Sequence, residues 1–252
     1  MLKALLFDVD GTLAETERDG HRVAFNQAFR AAGLDWDWDV SLYGKLLAIT
    51  GGKERIRYFI NEYQPPYPPQ TDENAWIKSL HKAKTDHYLA LLAQGAIPLR
   101  PGVRRLLDEA RAKGLRLAIA TTTTPENVTG LLEATLGKAS LDWFEVIAAG
   151  DIVPKKKPAG DIYTYTLNAM NLRAEECLAI EDSANGVRSA LEAGVPVLVT
   201  DNAYTIDDPF KGARAVLSGL GEPQQPVVVR SGPAPQSGYV DCAYLNQLAQ
   251  NQ

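Results

Sequence analysis

Two carboxylates, Asp8 and Asp10, stand two residues apart where an apolar run near the N-terminus gives way to Gly11. Strand side chains alternate between faces, so these two can point to the same side at the end of a strand. Residues 4–7 have the unbroken apolar character of a parallel strand buried on both faces. Neighbouring carboxylates resist double ionisation unless a cation lies between them, and Mg²⁺ accepts carboxylate oxygens while keeping water and phosphate as further ligands. The doublet therefore indicates metal-assisted phosphoryl transfer, although Asp-Gly is also ordinary turn chemistry.

The hexapeptide DVDGTL at residues 8–13 resembles the signature of the haloacid dehalogenase (HAD) superfamily. The resemblance implies that Asp8 is the nucleophile that forms an aspartyl-phosphate, and that Asp10 protonates the leaving oxygen and then activates water. It also implies three later elements in a fixed order: a strand ending in Ser or Thr, a lysine, and a strand ending in an acidic pair. All three are present in the sequence.

The first of these elements is the apolar run 115–121, which ends in hydroxyl residues shortly before Pro125. Proline suits the first turn of a helix, so a helix that begins there aims backbone N–H groups at an anion held by the hydroxyls. The resemblance assigns Thr121 to the transferring phosphoryl group, and we expect Thr122 and Thr123 to contact the substrate. The alternative is that the threonines are β-branched strand residues or an N-cap.

The second element is the run Lys155-Lys156-Lys157-Pro158. Adjacent lysines usually lie on a solvated face. The superfamily places its lysine directly before a proline, so the resemblance selects Lys157, whose charge would orient the Asp8 carboxylate and offset phosphate charge. Gly160 stands where relatives usually carry a second proline, and we expect a looser turn there.

The third element is the apolar run 177–181, which ends in Glu181 and Asp182. The resemblance implies that Asp182 completes the metal site with Asp8 and Asp10, whereas Glu181 is a weaker candidate for direct or water-mediated ligation. Ser183 follows and is expected to be an ordinary N-cap. Each motif thus lies at or near the carboxyl end of a predicted strand, where open α/β sheets bind ligands.

Composition limits the possible partners and compartments. The chain has 252 residues, 45% of them hydrophobic, with a net charge of −5, so it can build a sizeable core but offers no basic patch for nucleic acid or a membrane surface. Its two cysteines, Cys177 and Cys242, imply neither a disulfide framework nor a cysteine metal site. No apolar run reaches membrane-spanning length, and the first strand begins at once. We expect a monomer in a reducing compartment, either the cytoplasm or, for a mature plastid form, the chloroplast stroma.

The hydrophobic periodicity predicts two kinds of structure. From about residue 101 it predicts alternating elements: helices at 103–113, 125–136, 161–170 and 185–193, and strands at 115–121, 146–149, 177–181 and 195–200. From residue 13 to about residue 93 it is helical, with segments at 17–32, 42–47, 53–63 and 73–92 and a proline-rich break at 65–69. The tail is irregular over 221–238, with a last short strand and helix expected at 239–248.

These segments predict an α/β fold with an inserted cap. A Rossmann-like core with a parallel sheet, the HAD fold, would be formed by residues 1–13 and 94–252. An all-helical cap domain, residues 14–93, would close over the site and exclude bulk water.

The most informative stretch of the cap is Thr50-Gly51-Gly52-Lys53-Glu54-Arg55. Two glycines before a helix let the backbone approach a ligand, while the helix N-terminus and the cations Lys53 and Arg55 favour an anion. A glycine turn before a surface helix is the alternative. Because this stretch would face a phosphoryl-transfer site, we expect it to bind a second phosphate group, so the substrate would carry two.

Further cap residues strengthen a narrower resemblance. Glu17 and His21 lie four residues apart, so on a helix they share a face and are expected to recognise sugar hydroxyls. Together with Thr50 to Ile56 and the segment HKAKT that contains Lys84, they are similar to CbbY-type proteins, with a spacing around His21 more like the plant and cyanobacterial branch. That resemblance implies a Mg²⁺-dependent phosphatase that removes the 1-phosphate of xylulose 1,5-bisphosphate, an inhibitor of Rubisco.

Two alternatives remain open at this point. A β-phosphoglucomutase-like phosphotransferase would use the same intermediate but pass the phosphoryl group to a sugar hydroxyl, and other sugar-phosphate phosphatases fit the same motifs. A protein of another class, a non-catalytic binder of a phosphorylated sugar or of a partner, is disfavoured because all four motifs are retained.

Overall fold

The computed structural model describes residues 1–250. Strands β1 to β6 form a parallel sheet and β7 joins it in the antiparallel direction, in the order β3-β2-β1-β4-β5-β6-β7. The strands are β1 Ala4–Phe7, β2 Arg116–Ala120, β3 Phe144–Ala148, β4 Cys177–Glu181, β5 Val197–Thr200, β6 Ala215–Leu217 and β7 Val229–Ser231.

The central strand β1 determines which loops meet. It pairs with β2 on one side and β4 on the other, and Phe7 is in register with both Ile119 and Ile180. Because all three strands run in the same direction, the residues that follow them emerge at one edge of the sheet. The sheet therefore brings Asp8, Thr121 and Asp182 to the same place, as the sequence predicts.

Helices cover both faces of the sheet and form a separate group between β1 and α5. A π-helical segment at Glu17–His21 leads directly into α1, and two 3₁₀ turns occur later in the chain. The helices are α1 Arg22–Ala31, α2 Val40–Leu46, α3 Gly52–Tyr63, α4 Glu73–Ala93, α5 Val103–Ala112, α6 Pro125–Leu136, α7 Asp161–Met170, α8 Ala184–Glu192 and α9 Cys242–Gln250.

The core divides into three hydrophobic clusters. Two of them lie on opposite faces of the sheet, as the alternation of side chains along β1 requires: Leu5 belongs to one and Leu6 to the other. The third is rich in aromatic residues, including Phe25, Trp38 and Phe59, and is built by α1 to α4. The helical group thus has a core of its own, the packing that an inserted cap needs.

The structure corrects several predicted element bounds. The predicted helix over 17–32 is divided, because its first turn is π-helical, and β3 begins at Phe144 instead of residue 146. The short strand expected at about residue 239 is wrong: β6 and β7 are the late strands, and the final helix begins at Cys242. Strands of three residues are too short to give a periodic signal. The N-cap prediction is confirmed, since the Ser183 side chain accepts from the Gly186 N–H.

No helix in the described part of the chain has the length and hydropathy needed to cross a membrane.

Candidate active site

A buried lysine links the nucleophile candidate to the end of strand β4. Lys157 Nζ lies 2.7 Å from Oδ1 of Asp8 and 2.7 Å from Oε1 of Glu181. The hydroxyl of Tyr163, from α7, donates to the same Glu181 oxygen. Burial lowers the pKa of Lys157, but the two carboxylates raise it more, so the pKa lies above its ordinary value and the side chain stays charged. The structure thus holds a fixed positive charge beside Asp8.

Asp8 belongs to a compact acidic cluster with Glu181 and Asp182. Carboxylate oxygens of these three buried residues lie within 4.8 Å of one another. Burial, together with the charges of Glu181 and Asp10, raises the pKa of Asp8 to about 7 despite the opposing charge of Lys157. Burial and the charges of Asp8 and Glu181 hold the pKa of Asp182 well above its ordinary value. A cation at this position would relieve that repulsion.

The donors in this cluster suit a hard divalent cation. They are carboxylate oxygens, the ligand type of Mg²⁺ and Ca²⁺. Oδ2 of Asp182 accepts from the Asn202 amide at 2.8 Å, which leaves Oδ1 for a ligand. Oε1 of Glu181 already accepts from Lys157 and Tyr163, and its Oε2 is buried without a partner. The residues therefore fit a cation bound chiefly by Asp8 and Asp182.

The Asp10 carboxylate is held apart from this cluster. Its Oδ1 accepts from the Thr16 hydroxyl at 2.5 Å and lies 2.8 Å from Nε2 of His21. Nδ1 of His21 lies 2.7 Å from Nζ of Lys84, and because an ammonium group only donates, Nδ1 accepts and Nε2–H donates to Asp10. Both ring nitrogens of His21 are thereby occupied, which leaves neither for the sugar hydroxyl that the sequence suggested.

These contacts set the charge state of Asp10. Burial raises the pKa of Asp10, but the His21 ring, the Thr16 hydroxyl and the Lys84 charge outweigh burial, so the pKa lies below its ordinary value. Burial in turn lowers the pKa of Lys84 to about 8. Asp10 is therefore ionised at neutral pH, the state that a general base needs. As a general acid it must first gain a proton.

The hydroxyl residues after β2 line the space in front of Asp8. Thr121 is 1% exposed, and its Oγ1 accepts a long hydrogen bond of 3.4 Å from the Thr123 N–H. The Thr123 hydroxyl in turn accepts from the Asn127 amide, which ties this loop to the start of α6. Thr122 lines both cavities of the site.

A cavity of about 680 Å³ opens between the sheet edge and the helical group. Its size is within the usual range for small-molecule sites. Residues from the loop after β5, including Tyr204 and Asp208, also line this cavity. The residues predicted from sequence that line this cavity are Asp8, Asp10, Glu17, Thr50, Gly51, Arg55, Thr121, Thr122, Lys157 and Asp182.

A second cavity, of about 50 Å³, adjoins the first and is rich in cationic side chains. Burial and the neighbouring lysines lower the pKa of His81, which lines it, to about 3, so this imidazole is neutral. Every substrate-binding residue predicted from sequence lines one or both cavities. Those in the smaller one are Glu17, His21, Gly51, Gly52, Lys53, Arg55, Lys84, Thr122 and Thr123.

Glu17 and Arg55 are joined through a tyrosine. The Tyr43 hydroxyl donates to Glu17, and Nη1 of Arg55 donates to the Tyr43 hydroxyl at 2.9 Å. Arg55 also donates to the carbonyls of Leu46 and Ile49. The Arg55 guanidinium is therefore fixed beside the cavities by α2 and the loop that follows it.

Ion pairs connect the start of α3 to the loop before Lys157. Lys53 pairs with Asp151, and Lys156 pairs with Glu54 at 2.9 Å and with Asp151 at 3.0 Å. Lys53, which the sequence assigns to the substrate phosphate, thus has a carboxylate partner in the described structure. Gly51 has a φ of 97°, and a Cβ atom there would overlap the Glu54 carboxylate, so this turn requires glycine.

Sequence reasoning missed several residues of the site. Tyr163 and Arg100 lie in ordinary helical and loop contexts that give no signal. Asn202 and Tyr204 follow β5, another strand of the parallel sheet, and the strand-end rule that found the other motifs could have found them. Thr16 lies in the segment that carries the narrower resemblance, but without an assigned role.

The chain belongs to the haloacid dehalogenase-like hydrolase family, whose model matches residues 2–194. It is therefore a hydrolase built on the HAD fold.

Within this family the chain is similar to CbbY proteins. CbbY from Rhodobacter capsulatus is 52% identical over 213 residues, which are 84% of this chain and 91% of that protein. The CBBY-like protein of Arabidopsis thaliana is 40% identical, with 88% and 70% covered. A crystal structure of a CbbY variant from Rhodobacter sphaeroides in complex with xylulose 1,5-bisphosphate has a TM-score of 0.82 and 46% identity, with 87% and 95% covered. The chain is more identical to the bacterial CbbY protein than to the Arabidopsis protein, so these comparisons do not support the expected similarity to the plant and cyanobacterial branch.

Proposed function

We propose that this protein is a Mg²⁺-dependent phosphatase that converts xylulose 1,5-bisphosphate to xylulose 5-phosphate and inorganic phosphate. The observation that carries the proposal is the 2.7 Å contact between Lys157 and Asp8 beside an acidic cluster, at one end of a cavity whose neighbour is rich in cations. The sugar is taken from the complex of the Rhodobacter sphaeroides relative.

The nucleophile in the proposed reaction is Asp8. Its carboxylate attacks phosphorus in line, and the ester bond to the sugar oxygen breaks as the aspartyl-phosphate forms. Lys157 orients the carboxylate, and with Thr121 it stabilises charge on the equatorial oxygens. A Mg²⁺ ion held by Asp8 and Asp182 would supply further charge compensation for the phosphoryl group. Glu181 acts mainly by fixing Lys157, while its predicted role as a ligand and that of Asp10 stay predictions.

The acid–base residue in the proposed reaction is Asp10. It takes up a proton before the first step, donates it to the leaving sugar oxygen, and later removes one from the water that attacks the aspartyl-phosphate, which leaves it protonated for the next turnover or for release to solvent. The ionised resting state fits the second of these steps directly. His21, itself fixed by Lys84, orients the carboxylate for both.

The second phosphate of the substrate is proposed to lie in the smaller, cation-rich cavity. Lys53, Lys156 and Lys84 line it together with the Gly51-Gly52 turn at the start of α3. A phosphate there would replace the Asp151 carboxylate as the partner of Lys53 and Lys156. A phosphate group carries more negative charge than a carboxylate, so its ion pairs with the two lysines would be stronger. This arrangement supports a preference for bisphosphates over monophosphates.

The cap assignment and the location of the protein are also proposals. Residues 14–93 are proposed to act as a cap domain that excludes bulk water during the reaction, supported by the separate aromatic cluster of α1 to α4. Cys177 and Cys242 are free and buried, which supports a reducing compartment such as the cytoplasm. A monomeric state and a chloroplast location stay predictions.

The decisive experiment is a phosphate-release screen over sugar mono- and bisphosphates with Mg²⁺. Xylulose 1,5-bisphosphate is expected to be the best substrate. The Asp8→Asn variant is expected to show a kcat for this substrate that is lower by about 10³-fold or more. Equal phosphate release by wild type and Asp8→Asn would exclude catalysis by Asp8. A preference for monophosphates would contradict the two-phosphate proposal.

A parallel assay tests the β-phosphoglucomutase alternative. The protein is incubated with β-glucose 1-phosphate and a trace of the glucose bisphosphate, and both glucose 6-phosphate and inorganic phosphate are measured. The phosphatase proposal expects no sustained formation of glucose 6-phosphate. Steady isomerisation without phosphate release would assign the acceptor role to a sugar hydroxyl and replace the proposal.

A further inference from the structure

Arg100 is a buried arginine that joins the catalytic loop to the segment after β5. Its side chain is 7% exposed. Nη1 donates to the carbonyl of Gly11, in the loop that carries the catalytic aspartates, and to the carbonyl of Thr200 at 3.0 Å. Nη2 donates to the carbonyls of Asp201 and Ser218. One guanidinium thus bridges the catalytic loop and the segment after β5, which are far apart in sequence, and also holds Ser218, the residue after β6.

The two segments meet at the metal-site carboxylate Asp182. On one side, a Cβ atom built on Gly11 would overlap Oδ2 of Asp182 and crowd the Asn202 amide, so the catalytic loop lies directly against both. On the other side, Asn202 donates to that same Oδ2 at 2.8 Å. The side-chain Oδ1 of Asn202 accepts from the Tyr204 N–H at 2.9 Å, which fixes the amide so that its NH₂ group faces Asp182.

We propose that Arg100 is a positioning residue of the metal site. Its planar guanidinium binds the carbonyls of both Gly11 and Asp201 and so holds the catalytic loop in contact with the Asn202–Asp182 pair. This contact, which we call the clamp, orients Asp182 with its Oδ1 towards the cation. The inference rests on the proposed cation binding by Asp8 and Asp182, and it assigns Arg100 no contact with substrate.

The geometry requires arginine and not merely a positive charge. A guanidinium carries donors on three nitrogens in a fixed fork, whereas a lysine ammonium is a single point that cannot span carbonyls on both segments. The segment after β5 has a second support, because Arg230 of β7 pairs with the buried Asp201 carboxylate at 2.9 Å. Residues beyond 194, outside the part matched by the family model, thereby help to build the site.

The test compares Arg100→Lys with a matched control, Arg105→Lys. Arg105, on α5, also donates to main-chain carbonyls of the late segment, those of Leu220 and Gly221, but it contacts neither Gly11 nor the residues around Asn202. For wild type and both variants, titration calorimetry measures Mg²⁺ binding to the metal-free protein. Thermal unfolding is recorded, and kcat and KM are measured with p-nitrophenyl phosphate, which makes no demand on the sugar site.

Arg100→Lys is expected to weaken Mg²⁺ binding by about tenfold, the effect typical of losing a residue that orients a metal ligand. Its kcat for p-nitrophenyl phosphate at saturating Mg²⁺ is expected to fall by about tenfold with KM little changed. Arg105→Lys is expected to lower thermal stability without changing either quantity. Equal Mg²⁺ affinity and kcat in the two variants would overturn the role of Arg100.

Three further outcomes bear on the inference. If Arg100→Lys does not fold, Asn202→Ala tests the pair through which the clamp acts: unchanged Mg²⁺ binding overturns the inference, and weakened binding supports the step from the Asn202–Asp182 pair to the cation. A wild-type protein that neither binds Mg²⁺ nor releases phosphate contradicts the proposed function itself. An active wild type with an unaffected Arg100→Lys contradicts only the inference about Arg100.

Discussion

Lys157 and Glu181 form a buried ion pair with Nζ and Oε1 2.7 Å apart, and the same ammonium group reaches Asp8 at an equal distance. Removing two charges from water is costly, and that cost is offset here because both carboxylates and the Tyr163 hydroxyl complete the hydrogen bonding. The pair therefore fixes the direction in which Lys157 presents its charge. Glu181, which the sequence offered as a metal ligand, is used to hold the lysine.

The first prediction concerns Lys157. Lys157→Met is expected to lower kcat for phosphate release by about 10² to 10³-fold, because it removes a preorganised charge at the reacting group. Lys155→Met is the matched control, since Lys155 is exposed and lines neither cavity. The measurement is steady-state phosphate release at saturating substrate and Mg²⁺. A similar small effect in both variants would contradict the assignment of Lys157.

The second prediction concerns the pH dependence of Mg²⁺ binding. A carboxylate must lose its proton before it binds a cation, and the pKa of Asp8 in the metal-free protein is about 7. Mg²⁺ affinity is therefore expected to rise with pH through about 7, where Asp8 loses its proton, and the raised pKa of the second ligand, Asp182, acts in the same direction. Proton release on binding is expected below about pH 7. Calorimetry in two buffers of different ionisation enthalpy measures both. An affinity independent of pH would be inconsistent with this protonation state.

The same pKa has a consequence for the stability of the metal-free protein. The folded state holds the Asp8 proton more tightly than the unfolded chain, whose carboxyl has an ordinary pKa of 3.8. The contribution of Asp8 to stability is therefore lost as pH rises from about 4 through about 7. Thermal unfolding with and without Mg²⁺ should show the larger gain from Mg²⁺ at the upper end of that range.

The third prediction concerns His21. His21→Asn removes the ring N–H that binds Asp10 and the main influence that keeps the pKa of Asp10 low against burial. The pKa of Asp10 is then expected to rise, so that less of the base is ionised in acid. The loss in the rate of aspartyl-phosphate hydrolysis, the step in which Asp10 is the base, should be about tenfold greater near pH 5.5 than near pH 8. His87→Asn, on the same helix as Lys84 but lining neither cavity, is the control. A uniform loss at all pH values would indicate a purely structural role.

The fourth prediction concerns the second phosphate. Lys53→Met is expected to raise KM for xylulose 1,5-bisphosphate by about tenfold, the loss of one charge-assisted hydrogen bond. Hydrolysis of p-nitrophenyl phosphate should be little affected. Arg57→Met provides the control, because Arg57 lies on the same helix but pairs with Glu73 and Asn74. Equal effects of Lys53→Met on both substrates would place the second phosphate elsewhere.

The fold and most of the site could be predicted because both depend on local patterns. Apolar strands that end in Asp8, Thr121 and Asp182 are visible as short runs of sequence, and the parallel sheet then brings their ends together. Lys157 could be identified as the catalytic lysine only through the family resemblance, because the charge pattern does not distinguish three adjacent lysines.

The remaining features depend on contacts between distant segments, which local patterns do not encode. Arg100 is identified only by the carbonyls it reaches, about 100 residues away in sequence in the case of Thr200. The pairing of Glu181 with Lys157 likewise appears only when the loop before α7 is placed beside β4. The short strands β6 and β7 were missed because they pair at the edge of the sheet and carry too few residues for a periodic signal.

The contact between His21 and Asp10 links selectivity among phosphate esters to the rate at which the aspartyl-phosphate is hydrolysed. The core supplies the nucleophile, whereas the residues that align the acid–base group, His21 and Lys84, belong to the helical group above it. If the helical group acts as the proposed cap, a small phosphate ester that does not hold it closed can bind the core and still react slowly, since the base is then not aligned to hydrolyse the aspartyl-phosphate. Discrimination against such esters is then expressed in turnover and in the lifetime of the intermediate, and equilibrium affinity alone would underestimate it.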